Sequence, residues 1–212
     1  MNSQSDLLVN SLLEKLSNSI SGHLPLSSRK LLFQSLTAGK SDLTKKMILT
    51  ELNAICVRQG LSIWCRKFAD PIAIIDILNV ALSVASGELS EAHAQSLRDD
   101  FYVTTVEDEH YEIDEYPAMF VGHAAANTIS EAISNATIDT TDDLEDWDMD
   151  PESFYPDYLI ASAISGGVDE NGDIELRRTF WKWYLTDALC QLALERRTKP
   201  LNISPADEYA GK

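Results

Sequence analysis

The chemistry that this sequence offers is concentrated in an acidic, loop-rich segment of about residues 139–157, called the acidic segment below. Its part TTDDLEDWDMDPESFYPD, residues 140–157, holds eight carboxylates, three aromatic side chains and no lysine or arginine. Carboxylates at this density bind a calcium ion, attract a basic protein or simply face solvent. Aromatic side chains among them add the contacts from which protein interfaces gain much of their affinity.

Calcium is the first chemistry to test, because DWDMDPESFYPD begins with the ligand spacing of an EF-hand loop. Asp146, Asp148 and Asp150 occupy positions 1, 3 and 5 of such a loop. The sixth position needs glycine for a sharp turn, but Pro151 stands there, and the twelfth has Asp157 instead of glutamate. We therefore expect weak binding of cations at most, and no dedicated calcium site.

The rest of the sequence has no pattern typical of a catalytic or metal-binding site. The stretch DENGDIELRRTF, residues 169–180, has isoleucine where an EF-hand loop needs glycine and phenylalanine in place of the last acid. The four histidines lack zinc-binding spacing: His23, His93, His110 and His123. The three cysteines form no CxxC pair, which suits a reducing cytoplasm: Cys56, Cys65 and Cys190. GxSxG, P-loop and GxGxxG motifs are also missing from the sequence, which predicts a protein that is not an enzyme and needs no cofactor.

The charge of the chain is distributed very unevenly. Residues 99–173 carry 21 acids and no lysine or arginine, whereas residues 1–98 and 174–212 each have a net charge of +2. Proteins that grip nucleic acid need basic side chains facing phosphates, so this distribution argues against direct nucleic-acid binding. It favours attraction to a basic partner.

Hydrophobic spacing predicts that the elements carrying these residues are almost all helical, and we expect an all-α bundle of about seven to nine helices. Helix starts are indicated by Ser41, by the Asp70-Pro71 pair and by Ser90. The strongest helix is expected over about residues 174–197, with one buried stripe made of Trp181, Leu185, Ala188 and Leu192. Only YVTTV, residues 102–106, has the β-branched composition of a brief extended piece.

The chain is expected to form a single helical domain over residues 1–212, with a flexible tail from about residue 200 to 212. No internal repeat or biased linker marks a second domain. The longest apolar run, residues 71–85, contains Asp76 and is shorter than the about 20 residues that a membrane helix needs. It predicts a buried helix, and with no signal-peptide pattern at residue 1 we expect a cytoplasmic protein without membrane contact.

Residues 150–190 carry a recognisable combination of features. Residues 150–173, DPESFYPDYLIASAISGGVDENGD, place an acidic approach before a small-residue helix that ends at Gly166-Gly167, and IELRRTFWKWYLTDAL follows with paired arginines before its aromatic residues. This pattern resembles the fifth-numbered family of bacterial polymorphic-toxin immunity proteins. The resemblance implies a mostly α-helical protein, encoded beside a toxin and neutralising it in the producing cell, with no catalytic residues to carry over.

Together these observations predict a cytosolic immunity protein whose acidic surface binds a cognate, basic protein toxin. The predicted partner-binding residues all come from the acidic segment: Asp142, Asp143, Glu145, Asp146, Trp147, Asp148, Asp150, Phe154 and Tyr155. Neutralising the following six acidic residues is expected to weaken toxin neutralisation without unfolding the protein: Asp142, Asp143, Glu145, Asp146, Asp148 and Asp150. An acidic nucleic-acid mimic and a calcium-responsive binding module are the alternatives, and the oligomeric state is left open.

Overall fold

A computed structural model describes residues 3–134, 144–168 and 171–198, and within them the chain is helical with no β-strand. Its α-helices are α1 (Ser3–Ser17), α2 (Leu26–Thr37), α3 (Asp42–Gln59), α4 (Leu61–Phe68), α5 (Ile72–Ala85), α6 (Glu91–Tyr102), α7 (Tyr116–Ile133), α8 (Pro156–Ser165), α9 (Ile174–Trp183) and α10 (Leu189–Thr198). A π-helical turn, Tyr184–Ala188, joins α9 and α10 into one continuous helix. The prediction of an all-α fold with seven to nine helices is confirmed.

Helix starts follow the side chains that the sequence indicated. The hydroxyl oxygen of Ser41 accepts a hydrogen bond from the amide of Thr44, which caps α3. The carboxylate of Asp70 accepts a bond of 2.9 Å from the amide of Ile72, the first residue of α5. These contacts satisfy amides that have no partner within the first turn of a helix.

α7 is the central helix of the fold. It packs against α3, α4, α5, α6 and α8, and every residue from 121 to 129 is buried. Gly122 permits one of these approaches, because a Cβ atom there would lie 2.6 Å from Cγ2 of Thr105 and 3.1 Å from the ring of Trp64. The small residues that the sequence places along α7 thus let its neighbours come close.

The expected extended piece at residues 102–106 is wrong. Tyr102 ends α6, and the chain continues as a π-helical turn, Val103–Glu107. The hydroxyl of Thr104 donates to the carbonyl of Asp100, and the hydroxyl of Tyr111 donates to that of Thr105. Since these carbonyls are satisfied locally, the β-branched residues need no partner strand, and tertiary packing overrides their strand propensity.

The prediction of a buried helix at residues 71–85 is correct for one face of α5 only. Ile74, Ile77 and Leu78 are buried in the core, but Ile72 and Ile75 on the other face are exposed. Among the described residues no helix combines the length and apolarity needed to cross a membrane.

The continuous helix of α9 and α10 has the stripe that its sequence predicts. Trp181, Leu185, Ala188 and Leu192 are all buried. This helix packs on α1, α3 and α8. It therefore contacts both α1, at the start of the chain, and α8, which follows the acidic segment.

Candidate functional site

The structure describes seven of the nine predicted partner-binding residues, since Asp142 and Asp143 lie outside the described residues. Asp146 is buried, and three others are partly buried: Glu145, Phe154 and Tyr155. The remaining three are exposed: Trp147, Asp148 and Asp150. The acidic segment is therefore not a uniform charged loop.

Asp146 begins a 3₁₀ turn (Asp146–Asp148), and its carboxylate is directed into the protein. Both of its oxygens accept hydrogen bonds from Nη2 of Arg29, and Oδ2 lies 3.0 Å from Nε2 of His23. Burial alone would raise the pKa of Asp146, but Arg29 and His23 hold that pKa below its ordinary value. The structure corrects the expectation of an exposed Asp146, because a buried carboxylate paired with a guanidinium is an internal anchor.

Arg29, on α2, is fully buried and holds two carboxylates at once. Its Nη2 donates to Asp146 and its Nη1 donates to Asp157, so it binds both ends of the described acidic segment. The rings of Trp181 and Tyr155 lie 5.2 and 5.6 Å from the guanidinium carbon and add cation–π contacts. We call this group the Arg29 cluster.

Asp146 and Asp157 share one guanidinium in the Arg29 cluster, but their pKa values shift in opposite directions. Burial raises the pKa of Asp157, the neighbouring charge of Asp146 adds to the effect, and Arg29 offsets it only in part. Burial also disfavours the charged form of Arg29, but the two carboxylates outweigh it and raise the pKa of the guanidinium. All three groups are enclosed, which suits a structural role better than proton exchange with a substrate.

Glu145 also has a structural role, because its side chain caps α2 from a distant part of the sequence. Its Oε2 accepts a hydrogen bond of 2.9 Å from the amide of Leu26, and its Oε1 accepts one from the hydroxyl of Ser27. Pro25, which precedes α2, supplies no side-chain cap of its own. A carboxylate at this helix end is favoured by the unpaired amides and by the helix dipole.

The second half of the acidic segment is fixed on α7 by Asn127. The side-chain amide of Asn127 donates to the carbonyls of Glu152 and Phe154, at 2.9 and 2.8 Å, and its oxygen accepts from Arg98. The ring of Phe154 packs edge-on against Tyr158 at a centroid distance of 5.2 Å. Phe154 therefore belongs to the body of the protein more than to its surface.

Three of the predicted partner-binding residues remain exposed, and two of them bond to backbone amides of the same segment. Trp147 is 58% exposed and is flanked by the exposed side chains of Asp148 and Asp150. Asp148 accepts a hydrogen bond from the amide of Glu145, and Asp150 accepts one from the amide of Glu152. We call Trp147, Asp148 and Asp150 the Trp147 surface.

Side chains of the metal-ligating type do come together at the Arg29 cluster. His23, Glu145 and Asp146 place one ligand atom each within 4.8 Å of the others in the described part of the chain. Each of them already has a protein partner, and the guanidinium of Arg29 would repel a cation beside Asp146. Since Asp146 is turned inward, the three aspartates with EF-hand spacing do not converge on one point.

The paired arginines of the sequence pattern join two helix ends. Arg177 is buried, and its guanidinium donates to the carbonyls of Gly167 after α8 and of Ser21 after α1, both at 3.3 Å. Arg178 donates to carbonyls at the end of α1, at 2.7 Å for that of Leu16. Their conspicuous spacing in the sequence therefore reflects a structural role, since the carbonyls at the end of a helix need donors from elsewhere.

Comparison with known families identifies a family that the chain matches. The family model described as Immunity protein Imm5 matches residues 9–191. The matched range includes the Arg29 cluster, the acidic segment and the paired arginines. No curated protein matches the chain.

Proposed function

The chain belongs to the Imm5 family of immunity proteins, and from this premise we propose that it binds a cognate bacterial toxin and neutralises it without catalysing a reaction. The observation that carries the proposal is the family match, which covers most of the chain and agrees with the resemblance of residues 150–190. We place this action in the cytoplasm of the producing cell. Neutralisation then requires only a stable body and a surface that fits the toxin.

We further propose that the toxin contacts the Trp147 surface. Trp147 offers a large exposed ring, and tryptophan is among the residues that most often dominate binding energy. The bonds of Asp146 with Arg29 and of Glu145 with the amide of Leu26 hold the backbone that comes just before it. A ring held in place before binding loses less conformational entropy when a partner covers it.

The charge of the chain supports a basic toxin surface as the partner. Residues 99–173 carry 21 acids without a lysine or arginine, and Asp148 and Asp150 present two of those charges beside the ring. Opposite charges accelerate encounter over a range of about 8–10 Å at physiological ionic strength. The association rate of the complex is therefore expected to fall as salt is added.

The identity of the partner is tested by co-purification from the native cell, followed by identification of the bound protein. We expect one basic toxin in stoichiometric amount, and the chain should protect cells in which that toxin is produced. Recovery of many unrelated basic proteins would instead indicate a general nucleic-acid mimic. Failure to protect against the recovered protein would contradict the proposal.

The surface is tested with a charge-matched pair of variants. Changing Asp148 and Asp150 to Asn should slow association with the toxin several-fold and reduce its salt dependence. Changing Glu112 to Gln and Asp114 to Asn removes two exposed carboxylates elsewhere and is expected to have a smaller effect. Equal effects of the two variants would show that only net charge matters, and would contradict the assignment of the Trp147 surface.

Asp146 and Glu145 have structural roles that are separate from the exposed charge of the Trp147 surface. Neutralising Asp146 would leave the buried Arg29 with one carboxylate fewer, and Glu145 caps α2. A variant that changes all six acids up to residue 150 would therefore confuse loss of binding with loss of stability.

A further inference from the structure

Exposed apolar side chains from three distant parts of the sequence lie in or near the turn between α1 and α2. Ile20 in this turn is 94% exposed, Trp147 in the acidic segment 58%, and Ile174 at the start of α9 42%. A single exposed isoleucine is common on protein surfaces, whereas a group of large apolar side chains usually marks an interaction site.

The turn itself brings these side chains together. A Cβ atom on Gly22 would lie 2.4 Å from the carbonyl oxygen of Ile174 and 3.1 Å from its Cγ2, so the turn touches the start of α9. The next residue, His23, places its ring 6.4 Å from that of Trp147. The turn that carries Ile20 therefore touches Ile174 at Gly22 and approaches Trp147 through the ring of His23.

The backbone that presents Ile20 is held by the paired arginines. Arg178 donates to the carbonyl of Ser19 at 2.9 Å, and Arg177 donates to that of Ser21 at 3.3 Å. Both residues that flank Ile20 are thus bonded to α9, while the side chain of Ile20 remains in solvent. An apolar side chain fixed in this way is prepared for contact, because its backbone loses little freedom on binding.

Carboxylates surround this apolar group. Asp173 and Glu175 are exposed on either side of Ile174, and Asp148 and Asp150 are exposed beside Trp147. An apolar centre with a polar rim is the usual anatomy of a protein interface. Glu175 is paired with Arg178 at 3.4 Å, so the net acidity of this rim comes from Asp148, Asp150 and Asp173. The complementary surface is therefore one on which basic side chains surround an apolar patch.

From these observations we infer that Ile20 and Ile174 belong to the toxin-docking face together with the Trp147 surface. The inference rests on the proposed function and extends it, because it assigns the apolar contacts to residues outside the acidic segment. The occupant is the basic surface of the toxin, with an apolar patch that covers Ile20 and Trp147. In this arrangement the carboxylates govern the rate of encounter, and the apolar side chains govern how long the complex lasts.

The test uses the full chain and the toxin recovered by co-purification, with binding kinetics measured at constant salt. Ile20→Ser should raise the dissociation rate about tenfold or more and leave the association rate within about twofold, as is usual for contacts that do not steer encounter. Because Ile20 is almost fully exposed, the thermal midpoint of the free protein should not change. Ile113→Ser is the matched control, since Ile113 is 85% exposed on a different loop, and it should leave both rates unchanged.

The possible results separate this inference from the proposed function. If the Asp148 and Asp150 variant slows association but Ile20→Ser leaves dissociation unchanged, the inference is overturned and the proposed function stands. If Ile20→Ser and Ile113→Ser shorten the lifetime of the complex equally, the effect comes from general surface hydrophobicity and the inference is again overturned. If neither the acidic nor the apolar variant affects an active complex, both the inferred face and the Trp147 surface are wrong.

Discussion

Two acidic loops of this protein are each held by one basic side chain from another helix, but in different surroundings. Residues 144–157 are held by Arg29, which is fully buried with its two carboxylates. Residues 107–115 are held by Lys67, whose Nζ lies 2.7 Å from the carbonyl of His110 and within 3.2 Å of the carboxylates of Glu109 and Glu115. The carboxylates of this second loop remain partly or largely open to water.

The difference shows that two acidic loops can contribute very differently to the stability of a fold. A buried ion cluster is costly to break, because the ions that remain have no water to solvate them. An ion pair open to solvent contributes little, because water and salt replace it. We therefore expect the ion pairs at Arg29 to contribute much more to the stability of the fold than those at Lys67.

The largest expected effect comes from breaking the Arg29 cluster. Arg29→Met should lower the free energy of unfolding by about 3–5 kcal/mol, since it leaves Asp146 and Asp157 buried without a cation. Urea unfolding followed by circular dichroism measures the change. Adding Asp146→Asn and Asp157→Asn to the same variant should recover part of the loss, and a single variant that costs less than about 1 kcal/mol would contradict the buried cluster.

A second prediction concerns pH, and it involves two titrating groups on α7 near residues 152–157. Burial lowers the pKa of His123 from 6.5 to about 4, whereas burial and the charge of Asp157 raise that of Glu131 from 4.5 to about 7. Between pH 6.5 and 4.5 a proton binds His123 more readily in the unfolded chain, where its pKa is higher, and binds Glu131 more readily in the folded chain, where its pKa is higher. The two contributions to stability therefore have opposite signs and largely cancel.

Single variants should separate these two contributions. His123→Gln leaves Glu131, so stability should rise as pH falls through this window, by on the order of 1–3 kcal/mol. Glu131→Gln leaves His123, so stability should fall by a similar amount. Urea midpoints at a series of pH values provide the measurement, and slopes of the same sign in both variants would exclude this pairing.

A smaller effect is expected from the helix cap. Glu145→Ala removes the acceptor for the amide of Leu26 and should cost about 1 kcal/mol, as is typical for loss of an N-terminal cap. Glu145→Gln keeps an oxygen at that place and should retain most of the stability. The measurement is again urea unfolding, and equal losses in the two variants would show that charge alone stabilises the start of α2.

The smallest effect is expected at the other loop. Lys67→Met removes the contacts to Glu109, Glu115 and the carbonyl of His110, all of which lie close to solvent. The thermal midpoint should change less than in Glu145→Ala, and added salt should reduce the difference further. Hydrogen exchange of residues 107–115 should accelerate while that of residues 144–157 does not, and acceleration of both would contradict their independence.

Local features of the fold were predictable from sequence, because each depends on residues that are neighbours along the chain. The cap at Ser41, the start signal at Asp70 and the stripe on α9 and α10 are of this kind. The helical conformation of residues 102–106 was not predictable, because it depends on a hydrogen bond from Tyr111 and on packing against Gly122. Neither contact can be inferred from the composition of the segment.

The acidic segment illustrates the same limit at the candidate site. Its position and aromatic content are visible in the sequence, but the partners of its carboxylates are not. Arg29 lies 117 residues before Asp146, and nothing in its own neighbourhood marks it as a buried ion. The paired arginines were conspicuous in the sequence and helped to indicate the family. Their spacing did not reveal that they donate hydrogen bonds to carbonyls at the ends of helices.

The bonds from Arg177 and Arg178 to the turn at Ile20 have a consequence for the timing of protection during translation. Ser21 and Arg177 are separated by 156 residues, an interval of roughly 8–30 s at ordinary rates of synthesis. A nascent chain that still lacks α9 has neither the arginines that bond the carbonyls of Ser19 and Ser21 nor Ile174 beside the turn. If the toxin binds the inferred docking face, chains terminated before Arg178 should therefore leave the cell unprotected.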